Sequence, residues 1–218
     1  MAIFITGDTH GDFTRFKKGI FYEQADLTKD DCVVIAGDFG GIWDGSAEER
    51  FWLDWLEAKS FTTLFVSGNH ENFDLLAEFP VEDWHGGKVR HIRPSVIHLL
   101  RGQIYDIQGK TFFTMGVGSS HDIDGGILEP DGPQFRRKCR MLNHKGAMYR
   151  VNHRSWWKEE LPSEEEYQTS RLSLETVMPI SCASFASLCS SFAEKPFFLR
   201  PAFCFMPSIF IRRARDRS

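Results

Sequence analysis

Five residues in the first third of the chain could do chemistry together. Asp8 and His10 stand in TGDTHGD, Asp38 in GDFGG, and Asn69 and His70 in SGNHEN. Asp8, Asp38, His10 and Asn69 offer two carboxylates, an imidazole and an amide oxygen. Such a mixed oxygen and nitrogen donor set suits Mn²⁺, Fe or Zn²⁺ better than a thiolate-preferring ion. His70, beside Asn69, has the chemistry of a general acid. Glu71 follows it, placed either to orient His70 or to form a surface salt bridge. Taken singly, an Asp or Asn after a strand is an ordinary turn residue, and a lone His is usually structural. The ordered set of Asp-x-His, Gly-Asp and Gly-Asn-His-Glu, each behind an apolar run, is far more specific.

The elements that position these residues follow from the apolar runs. AIFI (2–5), CVVIA (32–36) and TTLFV (62–66) are short, rich in β-branched or aromatic residues, and each gives way to glycine. They read as strands. Their unbroken apolar character predicts burial on both faces, as in a parallel sheet. Helices are expected between them, over residues 13–22 and 47–59. In the second, Phe51, Trp52, Trp55 and Leu56 make an i, i+1, i+4, i+5 stripe that marks a core-facing side. Strand, helix, strand, helix, strand is the rhythm of an α/β domain. Parallel neighbours put all three loops at one sheet edge, where ligand sites of open α/β sheets lie. SVIHLL, GQIYDI and KTFFTMG predict three more strands over residues 95–118, as a meander added to or packed on the first sheet. A helical section is expected near 135–148. Ser163 with Glu166 forms a capping box for another helix that runs to about residue 175.

At this point the chain resembles the calcineurin-like metallophosphoesterases. The DxH, GD and GNHE set looks like that family's signature over about residues 1–175. SSHDIDGGILEPD and VNHRSWWKEELPSEEEYQT resemble a bacterial and phage-associated branch of it. The resemblance implies a four-layer α/β/β/α sandwich and hydrolysis of a phosphomonoester or phosphodiester at a two-metal centre. By resemblance Asp8 and His10 bind one ion, Asp38 bridges two, and Asn69 binds the second. His70 then meets the phosphate and assists the leaving group. Two cations roughly 3.5–4 Å apart can clamp the attacking and leaving oxygens of an in-line displacement.

The chain also departs from that pattern. The family adds a histidine in a Thr-His or Ser-His context and two from Gly-His-x-His. Gly-His-x-His does not occur, no Thr-His or Ser-His pair stands where the family's later strand is expected, and the last histidine is His153. His121, in SSHD, is the best-placed substitute. Four ligands shared between two metals predict that one ion is held weakly or lost, with impaired turnover. A non-catalytic metal-binding or regulatory protein that keeps the fold is the alternative. Residues 176–218 hold three of the five cysteines and no histidine. That shift predicts an incomplete phosphoesterase domain over 1–175 and an atypical tail over 176–218, out of frame or disordered, with an unpaired sheet edge left behind.

Composition narrows the classes. Net charge is −4 and pI about 6.1, so no broad nucleic-acid or membrane footprint exists. The clusters at Arg136–Arg140 and Arg212–Arg217 read as solvated faces. No GxxxxGK[ST] loop is present, which discounts a nucleotide switch. Five cysteines without a CxxC pair argue against a disulfide framework or zinc ribbon. No secretory leader pattern opens the sequence, and a cytoplasmic protein is expected. Trp43, near the expected crevice, reads as a packing residue, with stacking on a base or sugar as its alternative. The oligomeric state stays open.

Overall fold

The computed structural model describes residues 2–116, 118–177 and 208–213. The three apolar runs form β1 (Ile3–Thr6), β2 (Cys32–Ala36) and β3 (Thr62–Val66). They pair in parallel, with Ile3 opposite Cys32 and Cys32 opposite Thr62. Every residue of β3 is buried, which is why its run carries no alternation. Between β2 and β3 runs α1 (Ala47–Glu57), begun by Ser46, whose side chain accepts from the Glu49 N–H. The short α2 (Phe73–Ala77) follows β3 and is capped in the same way by Asn72.

The helix expected over 13–22 does not form. Two 3₁₀ turns, Thr14–Phe16 and Tyr22–Asp26, stand there instead. The Asp12 carboxylate accepts from the Thr14 N–H at 2.9 Å, a local bond that competes with helix. Gly19 lowers helical propensity further on. Phe13 and Phe16 still reach the core through the turn's three-residue spacing.

β4 (Glu82–Trp84), β5 (Gly87–Arg93) and β6 (Val96–Leu99) complete a six-stranded sheet of order β1-β2-β3-β6-β5-β4. β6 runs parallel to β3, whereas β5 and β4 are antiparallel. β7 (Gln103–Ile107) and β8 (Lys110–Met115) form a hairpin in a second sheet. The meander expected over 95–118 is thus divided between two sheets. Next come β9 (Ile127–Leu128), α3 (Phe135–Lys145) and β10 (Arg150–Val151), with β9 and β10 paired in parallel. α4 (Glu164–Val177) opens on the expected capping box: the Glu166 N–H donates to Ser163 Oγ at 3.2 Å, and the Ser163 N–H to Glu166 Oε2 at 2.7 Å. Finally β11 (Ser208–Arg213) pairs antiparallel with β8 and covers that edge of the second sheet. The rest of the tail beyond Val177, expected to be atypical, lies outside the described residues.

Two cores separate the layers. One lies between the first sheet and α1 and α2, built around Phe13, Ile35, Phe39, Leu56 and Phe65. The other lies between the two sheets, where Val34, Leu64 and Val66 meet Tyr105, Ile107 and Phe112. This helix, sheet, sheet order is the layering that the sandwich requires. No helix among the described residues is long and apolar enough to cross a membrane.

His98 on β6 is a polar group inside the first core. It stacks on Phe65 at 4.8 Å between ring centroids, and its Nε2 lies 2.7 Å from Ser67 Oγ. Burial pushes its pKa down to about 3. The unfolded chain therefore takes up a proton near pH 6.5 that the folded chain refuses. Stability is full above that pH and falls on acidification towards pH 3, by about 1.4 kcal/mol per pH unit. Urea unfolding at pH 7, 6, 5 and 4 should show this slope, and His98→Phe, which preserves the stack, should flatten it by that amount. Equal slopes in the two proteins would contradict this account of His98.

Candidate metal centre

The three loops at the carboxyl ends of β1, β2 and β3 are tied together before any side-chain chemistry begins. The Thr9 and His10 N–H groups donate to the Asp38 carbonyl at 3.0 and 2.8 Å, and the Gly11 N–H donates to the Phe39 carbonyl at 2.9 Å. Their approach is close enough that glycine is required. Gly40, at φ +63°, would place a Cβ 2.7 Å from the Gly11 nitrogen. A Cβ at Gly68 would lie 1.9 Å from Asp38 Oδ1. His10 and Asp38 themselves have φ of 48° and 42°, a region costly for non-glycine residues and typical of functional loops.

Asp38 is the hub. It is buried, and its Oδ1 accepts from the His70 backbone N–H at 2.9 Å. Its Oδ2 lies 3.8 Å from His10 Nε2. The His10 and His70 rings meet edge to face at 5.0 Å. One potential ligand atom from each of His10, Asp38 and His70 lies within 4.8 Å of the others. Asp8 contributes no atom to that group; its backbone carbonyl accepts from Arg15 at 2.7 Å. Asn69 sits beside the group by sequence, and its amide is oriented. Its Nδ2 donates to Ser120 Oγ at 3.5 Å, and Ser120 donates on to Glu160 Oε2 at 2.7 Å. Glu160 is buried and also accepts from the Ser120 N–H. With the amide nitrogen engaged, Oδ1 is left to serve as a ligand.

Glu71 takes neither of its expected roles. It is fully buried, and its carboxyl accepts from the Phe39 N–H at 2.7 Å and the Gly40 N–H at 3.3 Å. Burial pushes its pKa up to about 8, against the lowering effect of those hydrogen bonds. It therefore fastens the third loop to the second from beneath. His121 is exposed and stands outside the three-residue group, whereas its neighbour Asp122 forms an ion pair with Arg150 at 2.7 Å. Both charges reach His70. Burial holds His70 below the ordinary imidazole range, with Arg150 and His10 acting in the same direction and Asp38 and Asp122 against it. Neutral imidazole is the form that a metal requires. Trp43 packs edge-on to the buried Trp157 at 5.4 Å, which fits the packing role.

Ser120, Glu160 and Arg150 carry no signal in the sequence, and Asp122 shows there only as the neighbour of His121. They are drawn from the connection between β8 and α4, and no local pattern links residues 28 or 40 positions apart.

The imidazoles and carboxylate gather in loops beyond the parallel strands, where ligand sites of open α/β sheets lie. The comparison with known families is more specific. The model of the calcineurin-like phosphoesterases matches residues 1–187, and the chain belongs to that family of phosphate-ester hydrolases. No curated protein and no solved structure matches it.

The donor set fits a divalent ion. A half-exposed imidazole, a nearly buried carboxylate and a neutral second imidazole bring their ligand atoms within 4.8 Å of one another.

Proposed function

We propose that this chain hydrolyses a phosphomonoester or phosphodiester, with Asp8, His10, Asp38 and Asn69 holding divalent metal, Mn²⁺ foremost and Fe or Zn²⁺ as substitutes. The observation that carries the reading is the convergence of His10, Asp38 and His70 from three loops that share no sequence neighbourhood. The family centre is dinuclear. The chain has no Gly-His-x-His motif, so one ion is held firmly and a second weakly or not at all. A bound ion would supply charge stabilisation of the phosphoryl oxygens and a nucleophile near neutral pH.

The chain's own residues do the rest. Asp38, pinned by the His70 N–H and by the contact with Gly68, keeps its carboxylate in one orientation. Asn69 presents its oxygen because Ser120 and Glu160 hold the nitrogen. Arg150 places a positive charge near His70, although Asp122 partly offsets it. An arriving phosphate adds negative charge there, favours protonation of His70, and makes it a proton donor to the leaving oxygen. The phosphoesterase domain spans about residues 1–175, in a cytoplasmic setting.

The test is turnover of bis(4-nitrophenyl) phosphate by chelator-treated protein before and after Mn²⁺, Fe²⁺ or Zn²⁺ is restored. Hydrolysis should vanish on chelation and return best with Mn²⁺. The competing reading, a metal-binding or regulatory protein without turnover, draws on the absent histidine motifs. It predicts metal binding with no hydrolysis by folded protein.

A further inference from the structure

Beside the metal loops lies a second cavity of about 750 Å³, bounded by α2, β6 and residues 156–166. That volume is within the range of small-molecule sites. Phe73, Leu76 and Leu161 give it apolar walls. Against them stand three cations, Arg90, Arg101 and Lys158, and two carboxylates, Glu159 and Glu166. Arg101 is already committed, with its Nε 3.1 Å from Glu166 Oε1 and an Nη donating to the Glu159 carbonyl at 2.8 Å.

Three other lining residues carry buried polar atoms with no hydrogen-bond partner among the described residues: Arg90 Nε, His98 Nδ1 and Trp156 Nε1. Buried polar atoms in folded proteins nearly always have partners, so three around one cavity are unusual. The nitrogens of Arg90 and Trp156 can only donate, and therefore require an acceptor. His98 is 4% exposed and neutral, with its other ring nitrogen engaged by Ser67. Arg101 is paired with Glu166, and Lys158 and Glu159 are exposed to solvent, so the Arg90 guanidinium is the cavity charge left to balance and a single negative charge does so.

We propose that this cavity binds a small organic monoanion, whose carboxylate accepts from Arg90, with Trp156 and His98 as further polar partners, and whose apolar body lies against Phe73, Leu76 and Leu161. The site shares no residue with the metal ligands and does not depend on the proposed hydrolysis.

Isothermal titration of the metal-free full chain with 3-phenylpropionate tests it, with 3-phenylpropan-1-ol as the uncharged control. Saturable one-to-one binding is expected for the acid and none for the alcohol. Arg90→Gln should weaken binding by about tenfold, the scale of one charged hydrogen bond. Ala77→Phe, at an exposed α2 position that lines the cavity, should abolish it by filling the space. Asp38→Asn should leave the affinity unchanged. Absence of saturation, equal binding of the alcohol, or retention of full affinity in Ala77→Phe would overturn the proposal and leave a water-filled cavity. If Arg90→Gln fails to fold, the alcohol control and Ala77→Phe decide the question.

Discussion

Glu71→Ala should lower the stability of the protein by about 3 kcal/mol and weaken its hold on divalent metal at the same time. The carboxyl is wholly buried and serves the Phe39 and Gly40 N–H groups, which have no other acceptor among the described residues. Truncation strands both donors, each at about 1–3 kcal/mol, and leaves a small void. Relief of the burial cost of the acid offsets part of the loss, since burial already drives its pKa up to about 8. Those two N–H groups belong to the loop that presents Asp38, so the loss reaches the metal site directly. Glu71→Gln keeps one acceptor and should cost about 1 kcal/mol. Urea midpoints of the three proteins decide the matter. An alanine variant within about 0.5 kcal/mol of wild type, the scatter of ordinary surface substitutions, would show that the loops are held by something else.

His70→Gln should reduce turnover by about 10²–10⁴-fold, the usual contribution of a positioned general acid. The effect should depend on the leaving group. Nitrophenolate departs with little help, so a nitrophenyl ester should suffer less than an alkyl phosphate. His70 also lies within ligand distance of His10 and Asp38. Mn²⁺ affinity measured alongside kcat separates the two roles. A rate loss that follows the leaving group at nearly constant affinity marks proton donation. A loss that excess Mn²⁺ reverses marks metal ligation.

How much of this was legible in the sequence depends on which interactions are local. β2 and β3 were read to the residue because two-sided burial writes an unbroken apolar run. β5 escaped notice because its pattern is broken: the register shifts between His91 and Arg93, and Lys88, Arg90 and Arg93 interrupt its apolar positions. The residues over 13–22 have helical spacing on paper, but the core takes Phe13 and Phe16 through a 3₁₀ turn. At the site, Asp38 and His70 are legible because each stands in the short glycine-bearing loop that follows its strand. Glu71 was misread because nothing in GNHE says that its side chain turns inward beneath GDFGG. The support of Asn69 by Ser120 and Glu160 spans 51 and then 40 residues, and only the folded chain brings them together.

A working metal-dependent phosphoesterase site organised by Asp38 is the function proposed for this crevice. The most direct measurement is the Mn²⁺-dependent hydrolysis rate of bis(4-nitrophenyl) phosphate by purified wild-type protein beside Asp38→Asn. Wild-type protein should show saturable Mn²⁺-stimulated turnover, and the variant at least about a 10²-fold loss, the scale of removing one electrostatic anchor of a transition state. Folded wild-type protein that binds Mn²⁺ without hydrolysing the diester, or an Asp38→Asn variant that turns over as fast as wild type, would contradict it.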